Sequence, residues 1–394
     1  MAVFSLMLVV FSLTTGEFVV SGILPDLAAG LGVPLSAAGL LTTAYAAGMI
    51  VGGPVVTLLT ARVSRKPLII GLVATSVLAN AASAIAPGYA VLLVSRMLAG
   101  LVVATFFAVA IATAASTARP GKQASTVGKV VLGLNLGIVL GAPLGTFVGQ
   151  HLGWRATFWS VAAAAALALL TVLRFVPDRP SATTGPVAGE LRVFADRRVQ
   201  LAIALTAVGN TGVLTVFTYL APLLTEVGGF PPGAVPVLLL GYGAGAVLGN
   251  AVGGRLADRA LLPSLAGLLA TLVVVLGLAW LGGGHPVATV VSTVLLGALA
   301  FAIVPGMQTR VITAAGAAPT LAVAVNASGY QLAAAFAGWL GGQVVDSGAG
   351  LRAIYPVAAA LTVAGLGIAL YSLRRDRRES SAQGSLPGGR SRTS

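Results

Sequence analysis

Two ionisable residues, Glu17 and Arg96, interrupt stretches of this sequence that are otherwise apolar and long enough to cross a bilayer. A charge at that depth is expensive, so ionisable residues in membrane spans turn inward and mark ion or substrate paths. A carboxyl in a dry site favours its neutral form. Contact with water or a guanidinium favours the ionised form. One carboxylate that alternates between such surroundings can exchange a proton for a substrate, and Glu17 and Arg96 are the proton-coupling candidates. The blander alternative for Glu17 is a protonated acid hydrogen-bonded between helices. For Arg96 it is an anchor for neighbouring carbonyls.

Other chemistries lack their residues. There is no cysteine, and the only histidines, His151 and His285, have no ligand cluster around them, so neither cofactor nor metal is expected. No phosphate-binding glycine loop ending in Lys-Ser/Thr is present, so ATP is not the expected energy source. An intramembrane enzyme needs clustered His, Asp or Glu residues in its spans, and none is found. The polar residues that could line a cavity are Tyr45, Asn135, Asn210, Tyr219, Tyr242, Gln308, Asn326 and Gln331. Each alone is more often a helix–helix hydrogen bonder than a ligand contact. So few charges suit a neutral or amphipathic small molecule better than a polyanion.

The elements that position these residues follow from composition. The 394 residues are 57% hydrophobic and 8% charged, whereas soluble domains carry about 25% charged residues. A span needs about 20 apolar residues. Charge-free runs, split at Gly282-Gly283-Gly284-His285-Pro286, give twelve spans near 3–24, 37–59, 68–86, 90–114, 128–149, 156–175, 200–224, 234–254, 262–281, 287–308, 320–343 and 353–373. The first is too long for a signal peptide, lacks a charged leading segment and contains an acid. Nearly all basic loop residues fall on one side when loops are counted alternately, with Arg155 and Arg352 opposite. The positive-inside rule then puts both termini in the cytoplasm. The formal net charge of +13 reflects orientation and attraction to anionic lipid rather than nucleic acid binding. Counted from the outer ends of spans one and four, Glu17 and Arg96 both lie about 10 Å deep.

The expected organisation is an N-terminal six-helix bundle over 1–176, a cytoplasmic linker over 177–199, a C-terminal six-helix bundle over 200–373 and a disordered cytoplasmic tail over 374–394. The halves repeat. Arg62 in Ala61-Arg62-Val63-Ser64-Arg65-Lys66 aligns with Arg259 in Gly254-Arg255-Leu256-Ala257-Asp258-Arg259 at an offset of 197. Thr15-Gly16-Glu17 aligns with Thr211-Gly212-Val213 at 196, and Pro25 with Pro222 at 197.

These loops resemble the Gly-x-Leu-Ala-Asp-Arg-x-Gly-Arg-Lys motif of the major facilitator superfamily. Residues 254–259 match its first half, while the first copy has Ala61 and Ser64 where the family has an acid and a glycine. Leu92–Gly100 resembles the family's intramembrane arginine motif. Gly128, Gly137, Gly141, Pro143 and Gly145 are similar to the span-five signature of proton-coupled drug antiporters, with Ala142 inserted before the proline. Residues 17–28 resemble chloramphenicol-resistance and sugar-efflux permeases.

The resemblance implies an all-α membrane fold of two six-helix bundles related by pseudo-two-fold symmetry. It implies neighbouring spans one and four, and gating loops built on Arg62, Arg65, Lys66, Asp258 and Arg259. The span-five glycines are expected to serve close helix packing, with Pro143 bending the helix. The expected function is proton-coupled export of small neutral or amphipathic compounds, chloramphenicol-type antibiotics among them, by a multi-pass plasma-membrane carrier working as a monomer. A sugar, nucleoside or purine exporter on the same scaffold is the alternative. A non-transporting receptor is disfavoured by the lack of a sizeable sensory loop.

Overall fold

The structure, a computed structural model, describes residues 1–60, 62–119, 122–178, 196–315 and 319–384. Lipid offers no hydrogen-bond partners, so a spanning segment must satisfy its backbone internally, and a helix does so within one segment. Among the described residues, eleven helices are long and apolar enough to cross a membrane. They are α1 (Ala2–Ser21), α2 (Leu35–Leu59), α3 (Arg65–Ala84), α4 (Tyr89–Thr117), α5 (Ser125–Leu152), α6 (Trp154–Phe175), α7 (Arg197–Thr218), α8 (Pro232–Arg259), α9 (Leu261–Leu281), α10 (Pro286–Ala314) and, last in the chain, α12 (Leu351–Asp376). Between the last two lies α11 (Pro319–Val344), a 26-residue helix. All twelve coincide with the spans expected from the charge-free runs. Their outward faces are apolar: Leu78, Leu170, Val237, Leu248 and Leu278 are all exposed. A surface of that kind belongs in lipid, and the chain is an integral membrane protein.

The repeat is visible in the packing. A Cβ on Gly48, Gly52 or Gly100 would strike the carbonyls of Met97, Leu101 and Tyr45, so α2 and α4 cross with backbones in contact. A Cβ on Gly245, Gly249 or Gly297 would strike the carbonyls of Val294, Ala298 and Tyr242, bringing α8 and α10 together in the same way. All six positions correspond at an offset of 197, the spacing of the loop motifs. Small residues permit such approach where no hydrophobic effect drives helices together.

With twelve crossings, both termini lie at one face of the bundle; the other is called distal here. Contacts between the halves concentrate toward the distal face. There α2 packs on α11, the distal half of α5 packs on α8, and the short helix Leu24–Leu31 meets Leu220–Pro222. The half of α5 nearer the termini packs instead on α1 and α4 of its own half. This conformer is closed distally, and its halves part toward the termini.

Two boundary expectations need correction. Helix α7 begins at Arg197, inside the expected 177–199 linker, because Asp196 caps it by accepting the Arg198 backbone N–H at 2.7 Å. Residues 179–195 of that linker lie outside the described residues. The tail expected to be disordered from 374 onward instead continues α12 to Gly384. Asp376 on this extension accepts two hydrogen bonds from Arg310 of α10, at 2.7 and 3.0 Å. A two-point carboxylate–guanidinium contact of this kind fixes geometry, and the Ser- and Arg-rich composition gave no hint of it. Residues 385–394 lie outside the described residues.

Candidate functional site

Glu17 sits on the last helical turn of α1 before the chain tightens at Val19–Ser21. The chain's other described acids lie at helix ends or beyond them, as with Asp258 at the end of α8 and Asp376 near the end of α12. Glu17 is partly buried and faces across the junction of the halves. Nε2 of Gln331 on α11 donates to its Oε1 at 3.2 Å. Gln331 is only 8% exposed, and its own Oε1 is buried without a partner. Tyr45 on α2 and Tyr330 on α11 stand within electrostatic reach of the carboxyl, as does Arg96.

Arg96 is wholly buried on α4. Its Nη2 donates to the carbonyl of Gly16 at 2.7 Å, while Nε and Nη1 have no partner. The guanidinium lies 4.4 Å from the centre of the Tyr45 ring and 5.6 Å from that of Phe158. Cation–π contacts in a desolvated site are worth about 2 kcal/mol. The matched depth inferred from the sequence therefore brings Arg96 to the residue before Glu17. No ion pair within 4.0 Å joins the two side chains. Depth sets the height of a residue on a helix but not the direction in which its side chain points.

An aromatic cluster lies beside this site. Phe18 of α1 meets Phe217 of α7 edge-on at 5.4 Å, and Phe217 packs on Tyr242 of α8 at 4.9 Å. Tyr242 of this cluster was singled out from the sequence as a cavity candidate, whereas Phe18, Phe217 and Tyr330 were not, because an aromatic residue in an apolar helix carries no local mark of its neighbours.

The remaining cavity candidates divide. Asn210 donates to Thr206 O at 2.7 Å and contacts Sδ of Met307 at 3.1 Å, a contact internal to its own half. Tyr219 is buried and donates to the Gly338 carbonyl at 2.9 Å. It belongs to the distal closure, where Thr43 also donates to Ala335 O at 2.7 Å and Gly39 faces Gly338. Asn326 is buried with Oδ1 unpartnered. Asn135 is half-buried and Gln308 is exposed.

The gating candidates also divide. Arg65 donates to Ser116 Oγ at 2.8 Å and to Ala112 O at 3.3 Å on α4. Lys66 donates to Leu173 O at 3.0 Å near the end of α6. Arg62, Asp258 and Arg259 are exposed. Thus the loop that departs further from the family motif is the one that ties helix ends together in this conformer.

In α5, Gly133, Gly137, Gly141, Gly145 and Gly149 recur every fourth residue. A Cβ on each would meet Met7 O, Thr14, Thr15, Val19 and Ile23 in turn. This ladder seats α5 against the helix that carries Glu17. Gly128 meets nothing. Residues 137–141 make a π-turn, closed by Ala142 N–H to Gly137 O, two residues before Pro143, and both a π-turn and a proline are recognised causes of a helix kink. Gly141→Val should overpack this contact, at about 1–3 kcal/mol for a well-packed interface. A thermal unfolding midpoint in detergent that falls by several degrees is the expected outcome; an unchanged midpoint means that α1 and α5 separate easily.

Two apolar helical bundles with a partly buried carboxylate at their junction form an integral membrane protein. Comparison with known proteins supplies the family. Residues 6–320 match the Major Facilitator Superfamily, and the chain belongs to it. The transporter YfhI of Bacillus subtilis (strain 168), of the same family type, is 34% identical over 94% of this chain and 93% of its own. A chloramphenicol resistance protein of Streptomyces lividans is 36% identical over 83% of this chain and 84% of its own. The fold also matches a bacterial homologue of the human lysosomal transporter Spinster in its inward-facing, unoccupied conformation. There the TM-score is 0.77 at 16% identity, over 95% of this chain and 96% of that one.

Proposed function

We propose that this transporter is a proton-coupled exporter of small neutral or amphipathic compounds, with Glu17 as the proton carrier. The observation that carries the proposal is the position of Glu17. It is an acid within the apolar spanning segment Ala2–Ser21, hydrogen-bonded across the junction of the halves by Gln331 and within reach of the buried Arg96. A carboxyl there is neutral while sequestered and ionises when water or a cation reaches it. A proton taken up at the distal side is then released at the termini side in exchange for substrate. Asp26, on the short distal helix, is a second carboxyl on the distal side; its half-burial raises its pKa above the usual aspartate value.

The Streptomyces relative makes chloramphenicol the first substrate to try. Efflux from cells with and without the protein, repeated with a protonophore, tests the reading. Energised efflux that ignores the protonophore removes proton coupling. A sugar, nucleoside or purine exporter is the second reading, supported by the buried, unpartnered amide oxygens of Asn326 and Gln331, which suit a hydroxylated ligand. Uptake of such compounds into inverted vesicles, with chloramphenicol inert, selects it.

The basic loops support an orientation with both termini in the cytoplasm of a plasma membrane, and a six-plus-six division with a cytoplasmic linker. The cysteine-free chain allows a direct test. Ser347 lies exposed at the distal face and Ser125 exposed at the termini face. In intact cells an impermeant thiol reagent should label Ser347→Cys and spare Ser125→Cys. The opposite pattern reverses the orientation.

A further inference from the structure

We infer that the seam between α2 and α11 is the distal gate, latched by the Thr43 hydroxyl and fitted by Tyr219 against Gly39. The inference goes beyond the proposed function, and holds whatever compound is carried and whichever group carries the proton.

Ser36, Gly39 and Thr43 recur at helical spacing on α2 and share one face. Ala335, Gly338 and Gly342 do the same on α11. The two faces run antiparallel and meet residue for residue. A Cβ on Gly342 would lie 3.0 Å from Ser36 Cβ. One on Gly338 would lie 2.7 Å from the Gly39 carbonyl oxygen and 2.6 Å from Thr43 Oγ1. At the third pair, Thr43 Oγ1 donates to Ala335 O at 2.7 Å.

Tyr219, just past the end of α7, completes the seam. It is fully buried, and its hydroxyl donates to the Gly338 carbonyl at 2.9 Å. A Cβ on Gly341 would strike its ring. Tyr219 is therefore seated on α11 and travels with the C-terminal half. A Cβ on Gly39 would strike the Tyr219 hydroxyl, and would come within 2.7 Å of Cζ and 3.2 Å of Gly338 O. Gly39 is thus the surface of the N-terminal half against which Tyr219 closes.

Each half has backbone contacts of its own. Gly48, Gly52 and Gly100 join α2 to α4, and Gly245, Gly249 and Gly297 join α8 to α10. The α2–α11 seam instead joins one half to the other, and a carrier that exposes its site alternately must break such a contact in one conformer. A neutral hydrogen bond and contacts between small side chains are weak enough to break in that way. A second hydrogen bond crosses the distal face, from Gln150 Nε2 on α5 to Pro232 O on α8 at 2.7 Å, but it is exposed and water competes for its groups. The latch therefore belongs to α2–α11 rather than to α5–α8.

The test is the reactivity of a single cysteine in this cysteine-free chain, in lipid nanodiscs that leave both faces open to a thiol reagent. Ser36 is 8% exposed within the seam, so Ser36→Cys should react slowly. Adding Thr43→Val keeps the shape of the side chain, removes the donor and should speed labelling about fivefold, the worth of one neutral hydrogen bond. Thr43→Ser keeps the hydroxyl and should label near the parent rate, as should Gln150→Leu. Gly39→Ala should speed labelling about tenfold or more, as overpacking a close contact does. Adding Tyr219→Phe to it removes the atom most in the way and should slow labelling again. The unfolding midpoint should barely move in these variants, because the protein has a distally open conformer to adopt and alanine is the better helix former.

A parent rate in Thr43→Val, or equal rates in Thr43→Ser and Thr43→Val, overturns the latch. Faster labelling in Gln150→Leu than in Thr43→Val also overturns it and moves the latch to α5–α8. A parent rate in Gly39→Ala, or no slowing on adding Tyr219→Phe, overturns the fit. A lowered midpoint without faster labelling makes the seam ordinary packing and overturns both.

Discussion

Glu17→Gln should reach the membrane in normal amount and lose uphill export altogether. Glutamine preserves the shape of the side chain and can still accept the hydrogen bond from Gln331. It also relieves α1 of a group whose ionised form costs several kcal/mol within a bilayer. Folding therefore has little to lose. Coupling has everything to lose, because the amide cannot release a proton when substrate binds. One proton moved inward against a neutral substrate carries one charge, worth about 2.3 kcal/mol per 100 mV, which sustains a roughly fifty-fold concentration ratio. In the variant that ratio should fall to one. Downhill exchange of labelled for unlabelled substrate should survive, since exchange need not cycle the proton. The measurement is a paired assay in proteoliposomes of accumulation against an imposed potential and counterflow without one. Retained, protonophore-sensitive accumulation makes Glu17 a structural acid and moves the coupling role to Asp26.

The charges and the glycines made much of this arrangement legible in the sequence. Glu17 and Arg96 stood out because each breaks an apolar run, and the residues at which runs end placed the twelve helices. The repeat spacing of 197 that joined Arg62 to Arg259 returns as matched glycine–carbonyl contacts in α2–α4 and α8–α10. What stayed hidden depends on azimuth and on distant partners. Glu17 and Gln331 lie 314 residues apart, and no local pattern joins them. Matched depth, with the neighbouring of spans one and four that the resemblance implied, allowed Glu17 to meet Arg96, whereas the guanidinium grasps the carbonyl one residue earlier. Tyr219 looked like a cavity residue because it is polar in an apolar stretch, yet it serves the distal closure. The continuation of α12 past residue 373 was missed because composition cannot show that Asp376 has Arg310 within reach.

Arg96→Met is expected to separate two explanations of the buried guanidinium. If Arg96 only anchors the Gly16 carbonyl and fills space between Tyr45 and Phe158, its charge is incidental. Replacing a buried ion with an apolar side chain of similar length is often neutral or stabilising, so the fold should persist. The lost ring contacts, about 2 kcal/mol for a desolvated cation–π pair, oppose that gain. The unfolding midpoint should consequently move by only a few degrees in either direction. The effect on function should be far larger. Among the described residues, Arg96 is the cation within reach of Glu17, and without it an ionised carboxyl on α1 has no opposite charge nearby. Substrate-induced proton release should fall at least tenfold, while counterflow persists as in Glu17→Gln. Arg96→Lys retains the charge but loses the planar face that lies over Tyr45 at 4.4 Å, and should recover only part of the release. The two variants together decide the matter: release near wild type in Arg96→Met, with or without a stability change, assigns Arg96 to anchoring alone, whereas loss in Arg96→Met with partial recovery in Arg96→Lys ties its charge to the proton cycle of Glu17.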